Sequence, residues 1–147
     1  MATSLQSPLS SAATSTFEEL GFLLALPVDG DARPLAHGAR VDFRGPRTGC
    51  LELRVSATLL PVVAANMLGS VDVPSFALQL DALGELANVI TGNVVPALDG
   101  PRAVYRLDAP VLAARGEGRA AAAEVTLRFD EGDALVQLFL DEPARAA

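Results

Sequence analysis

Apolar and polar positions recur along this chain with two different periods. Between Ser75 and Val94, the apolar residues Leu83, Leu86, Ala87, Ile90 and Val94 fall within an arc of about 100° on a helical wheel, the width of a core-facing helix face. Ser75, placed after Pro74, is a helix-starting residue, and the run Pro96 to Gly100 ends the helix. Two shorter helices are predicted before it. The first runs from about Ser11 to Leu26, with Phe17, Leu20, Phe22 and Leu24 as apolar contacts and Pro27 as its stop. The second runs from about Ala57 to Leu68 and is closed by Gly69.

Elsewhere the period is two. Val41 and Phe43 alternate with Asp42 and Arg44; across the turn GPRTG, Leu51, Leu53 and Val55 alternate with Glu52 and Arg54. This pattern reads as a hairpin with one dry face. VYRLD, APVLAA, AAEVTLRF and ALVQLFL follow as further strands, the last two joined by DEGD. The segment PVDGDARPLAHG reads as a loop, and residues 1–10, rich in Ser and Pro, as a disordered lead-in. Strands with one dry face need a cover, which three amphipathic helices supply. The expected fold is therefore a single α+β domain over residues 11–147, with two layers and a mostly antiparallel sheet of about five or six strands. ALVQLFL is apolar on both faces, which suits either a central strand or one that joins the sheet of a second copy in a homodimer.

Composition narrows the function. Of the 147 residues, 50% are hydrophobic and only 5% aromatic, with no Trp, so the core is built from Leu, Val and Ala. All 11 basic residues are Arg, and against 18 acids they leave a formal charge of -7. Such a chain, with no basic cluster, is unsuited to nucleic acid or to an anionic membrane. A single cysteine, Cys50, excludes an intrachain disulfide and CxxC sites. No apolar run reaches the roughly 18 residues of a membrane span, and no secretory signal pattern opens the chain, so a cytoplasmic protein is expected.

The chemistry available is equally restricted. His37 is the only histidine and falls in the Pro/Gly loop, so nucleophilic arrangements that need a histidine base would all depend on it. There is no Lys for a Schiff base or a phosphate loop. RGEG at 115–118 reads as a turn, Ser56 as a helix cap, and the acids of DEGD as a hairpin tip too short for a calcium loop.

What remains is a stripe on the wet side of the third helix. Asp81, Glu85, Asn88 and Gly92 share an arc of roughly 60° opposite the apolar face. The stripe contains no Lys or Arg for i,i+4 pairing. It also includes a glycine, which costs about 1 kcal/mol relative to Ala inside a helix. On pattern alone the stripe reads as the wet side of an ordinary amphipathic helix, while these two details point to a choice made for something other than helix stability. A carboxylate and a carboxamide on one exposed face cannot make a strong nucleophile, but they can grip a partner and aim a water at a labile phosphoryl group.

In DALGELANVITGN the pattern D-x3-E-x2-N-x3-G, from Asp81 to Gly92, resembles the active-site helix of the CheC/CheX family of chemotaxis phosphatases. The order of elements from about residue 11 to 142 is similar to that family's layout. The resemblance implies hydrolysis of the aspartyl phosphate on a CheY-type response regulator. Asn88 would orient the attacking water, Glu85 would pair with a regulator lysine, and Asp81 and Gly92 would shape the docking surface. It implies no cofactor of the chain's own, with Mg2+ held by the regulator. Leu60 and Val63 stand where a second copy of the motif would carry Glu and Asn, which resembles the CheX branch, whose members dimerise through their sheets. The competing expectation is a docking or scaffold domain of a chemotaxis, flagellar-switch or other two-component complex that keeps the helix without the reaction.

Overall fold

The computed structural model describes residues 5–100, 102–112 and 119–141. Its elements run α1 (Gln6–Gly21), β1 (Leu26–Val28), β2 (His37–Arg44), β3 (Gly49–Val55), α2 (Leu59–Leu68), α3 (Phe76–Val94), α4 (Pro96–Asp99), β4 (Arg106–Leu107), β5 (Val111–Leu112), β6 (Ala123–Phe129) and β7 (Gly132–Leu140). All strand pairs are antiparallel. The seven strands form one sheet in the order β1-β6-β7-β3-β2-β4, with β5 also on β2. The α+β class and the three main helices follow the sequence pattern.

The period-two residues define the inner face. Val41, Phe43, Leu51, Leu53, Val125, Leu127, Val136 and Leu138 are all buried. From the other layer they meet Leu9 and Phe17 of α1, Leu60 and Val63 of α2, and Leu83, Leu86 and Ile90 of α3. The rings of Phe17 and Phe129 lie 4.9 Å apart where α1 crosses β6.

Several local expectations need correction. Helix α1 begins at Gln6, within the segment expected to be a lead-in, because Leu9 has a fully buried place in the core. It also stops at Gly21, earlier than Leu26. Phe22 takes a left-handed conformation (φ 52°) and ends it, leaving Phe22 and Leu24 exposed where core contacts were expected. The loop after it contains β1, an edge strand on β6. His37 opens β2, with its ring edge-on to Phe76 at 5.1 Å, and is not in a loop. VYRLD and APVLAA contribute only two paired residues each among those described. RGEG at 115–118 lies outside the described residues.

Strand β7 lies inside the sheet, between β6 and β3. Its two-faced apolarity is that of a central strand: Ala134, Val136 and Leu138 face the helices, while Leu135 and Phe139 lie on the opposite face. Both of its edges are paired, so ALVQLFL cannot add to the sheet of a second copy.

The β6–β7 tip is fixed by a clamp that the sequence did not reveal. Asp133, fully buried, accepts hydrogen bonds from Arg33 Nε and NH2 at 3.0 and 2.7 Å, from the Arg33 amide at 2.7 Å, and from Arg128 Nε and NH2 at 3.1 and 3.0 Å. Arg128 and then Arg33 hold its carboxyl well below the usual carboxylate range, against burial, which acts the other way. Ser56 also belongs to this joint. Its hydroxyl accepts from the Asp133 amide at 2.9 Å and donates to the Asp133 carbonyl at 3.2 Å, and it accepts from no amide of α2, contrary to the reading of Ser56 as a capping residue. Gly132 is required beside it, since a Cβ there would lie 2.9 Å from Ser56 Cβ.

Candidate functional site

Helix α3 spans 19 residues and is set by both ends. The Ser75 hydroxyl accepts from the Leu78 amide at 3.3 Å, the expected N-cap, and the chain continues through Val95 into the single turn α4. The inner face, Leu83, Leu86, Ala87, Ile90 and Val94, is fully buried. Burial of that face leaves the opposite stripe no freedom to rotate inward. Asp81, Glu85 and Gly92 are exposed and Asn88 is half-buried, all four along roughly 16 Å of helix at 1.5 Å per residue.

Within the chain these four residues stabilise little. Among the described residues, Asp81, Glu85 and Asn88 make no side-chain hydrogen bond or ion pair. A Cβ added to Gly92 would meet nothing within 4 Å. Asn and Gly are both poor helix formers, so two unfavourable choices stand on one helix face with no compensating side-chain contact among the described residues. The neighbouring Asn93, by contrast, is employed: its amide reaches the Thr16 hydroxyl of α1 at 3.4 Å.

The other candidates are structural. Asn66 donates from its amide to the Gly21 carbonyl at 2.8 Å and ties the end of α2 to that of α1. Leu60 and Val63 are fully buried, so α2 offers no second exposed site at those positions. Cys50 is buried beside Arg119, whose guanidinium lies 3.5 Å from Sγ and 5.1 Å from the Phe139 ring centre. Burial pushes the Cys50 thiol up despite that arginine, which leaves it protonated and unreactive at neutral pH. Among the described residues no three His, Cys, Asp or Glu side chains gather as metal ligands, and no helix is long and apolar enough to cross a membrane.

No family model and no curated protein matches this chain. Solved structures do. The chemotaxis protein CheX from Vibrio vulnificus superposes with a TM-score of 0.78 at 16% identity, covering 95% of this chain and 97% of that one. CheX from Desulfovibrio desulfuricans gives 0.74 at 18% identity, over 95% of this chain and 100% of that one. CheX in a CheX–CheY–BeF3–Mg2+ complex from Borrelia burgdorferi gives 0.67 at 16% identity, over 92% and 97%. At such identities the likeness is one of fold, and it extends over nearly the whole of both chains. The chain has the fold of the CheC/CheX-type chemotaxis proteins, as the motif on α3 suggested.

Proposed function

We propose that the protein is a phosphatase acting on the aspartyl phosphate of a CheY-type response regulator. The observation that carries this reading is the stripe on α3: two carboxylates, a carboxamide and a glycine, with no side-chain hydrogen bond or ion pair among the described residues. The presence of CheY in the complex of one structural neighbour supports a receiver domain as the partner.

The chemistry needs little from the enzyme. An acyl phosphate is already reactive, and hydrolysis forms a bond from water oxygen to phosphorus while the bond to the aspartyl oxygen breaks. The products are inorganic phosphate and a free carboxylate. Asn88 is too weak a base to deprotonate water, but its carboxamide can accept a hydrogen bond from that water and hold it in line. Glu85, one turn away, would pair with a lysine of the receiver and fix the register of docking. Asp81 extends the acidic surface, and the bare backbone at Gly92 lets the partner approach. Any Mg2+ would be the receiver's own.

A homodimer remains part of this proposal. Because β7 is internal, its surface would be an outer edge strand or the helix-free face of the sheet. Sedimentation at micromolar concentration tests it, and a monomer would remove it.

The function itself is tested with purified protein against a panel of phosphorylated receiver domains. The expected result is accelerated phosphate release from at least one. A protein that binds a phosphorylated receiver without hastening phosphate loss would be a scaffold, not an enzyme.

A further inference from the structure

Helix α3 contains a second glycine, and this one has a reason inside the chain. A Cβ on Gly84 would lie 3.2 Å from Pro110 Cβ, so the glycine lets the segment leading into β5 lie close against the helix flank. Between them runs a groove of about 470 Å³. Its apolar lining comes from Ala77, Leu80 and Gly84 on the helix and from Pro110 and Leu112 opposite. Its rim carries Asp81 and Glu85.

Leu112 shows that the groove is unfilled. It pairs with Ala39, an inward residue of β2, and therefore points to the helix side of the sheet. There it remains 62% exposed, lining the same groove as Ala77 and Gly84 of α3. On the helical wheel Ala77 and Gly84 lie within about 60° of Asp81, so the groove runs beside the stripe without interruption.

We infer that this groove is a specificity pocket for the phosphorylated partner, an inference that rests on the function proposed above. Its occupant is a segment of that partner in which a Lys or Arg stands next to a large apolar side chain. The apolar group fills the groove and the cation meets the rim. Charge selects this occupant: neither rim acid has a cationic partner among the described residues, and the chain as a whole carries -7. A partner seated over Asn88 would cross the groove on the same helix.

The test compares steady-state phosphate release from a phosphorylated receiver by the wild type, Leu112→Asp and Ala77→Asp. Both changes fall on exposed positions, which protects folding, and melting curves verify it. Val104→Asp, at an 83% exposed residue outside the groove, is the charge-matched control. We expect KM to rise about tenfold or more in both groove variants, with kcat falling far less and the control unaffected. An unchanged KM in the folded variants would overturn the groove while leaving the phosphatase reading intact. A wild type that speeds no receiver's phosphate loss would overturn both.

Discussion

Replacing Gly92 with Ala should make the protein more stable and less able to engage its partner. The stability term follows from local geometry. Gly92 lies within α3, and a Cβ there meets nothing within 4 Å, so the added methyl brings no clash. Ala exceeds Gly in a helix interior by about 0.5–1 kcal/mol, mainly by restricting the unfolded chain. For a domain of this size that raises the Tm by about 1–4 °C. The interface term has the opposite sign. If the partner's surface packs on the bare backbone, one inserted methyl overpacks the contact by about 1–3 kcal/mol, a loss of roughly 5- to 150-fold in affinity. Thermal melts and a titration against a phosphorylated receiver, or one carrying a stable phosphate mimic, measure the two terms. Gly84→Ala is the internal comparison. Its Cβ would press on Pro110 at 3.2 Å, so its gain in stability should be smaller. A Gly92→Ala protein that is more stable and binds with unchanged affinity would refute the close approach at Gly92.

Glu85→Gln should raise KM for the phosphorylated receiver about fivefold or more, with Glu85→Lys worse, and added salt should weaken the wild type; a salt-insensitive KM would contradict a cationic partner. Asp133→Asn should destabilise the domain by at least about 2 kcal/mol at neutral pH in urea unfolding, because two arginines lose their shared carboxylate. Since the carboxyl of Asp133 is held low in the folded state, this contribution is fully present above the unfolded value of about 3.9. It is lost as pH falls below that, so the variant and wild type should converge in acid. Leu138→Ala should lower stability by about 2–5 kcal/mol, as for any fully buried central-strand residue; a marginal effect would contradict the internal place of β7.

The sequence was most informative where one face of an element is buried. The inward sets of Leu51–Val55 and Ala123–Phe129, and the helical spacing from Leu83 to Val94, each map onto the core because a buried face tolerates few other patterns, although Glu52, expected on the wet face of β3, is buried as well. The stripe on α3 was legible for the complementary reason: once the inner face is assigned, the outer one follows by geometry. Boundaries were harder. Apolar Phe22 and Leu24 continue the helical pattern of α1, but the turn at Phe22 sends them to the surface, and nothing in the local sequence marks a left-handed phenylalanine.

Long-range polar contacts were invisible. Arg33 and Asp133 are 100 residues apart, and only the sheet order brings the loop before β2 to the β6–β7 tip. The groove beside Asp81 was hidden in the same way, because it depends on Pro110 meeting a glycine on another element. Two-faced strands are ambiguous by nature. ALVQLFL could be central or shared, and only its pairing with both β3 and β6 decides.

The central claim is that the half-buried carboxamide of Asn88 on α3 aims the water that removes a partner's phosphate. Single-turnover decay of a phosphorylated receiver, with saturating wild type and with saturating Asn88→Ala, tests it most directly. Saturation removes differences in binding from the comparison. The account predicts that Asn88→Ala stays folded with a Tm up to about 3 °C above the wild type, since Ala is the better helix former, binds the receiver, and hydrolyses its phosphate about 100-fold more slowly. A folded Asn88→Ala protein that dephosphorylates the receiver at the wild-type rate would contradict it.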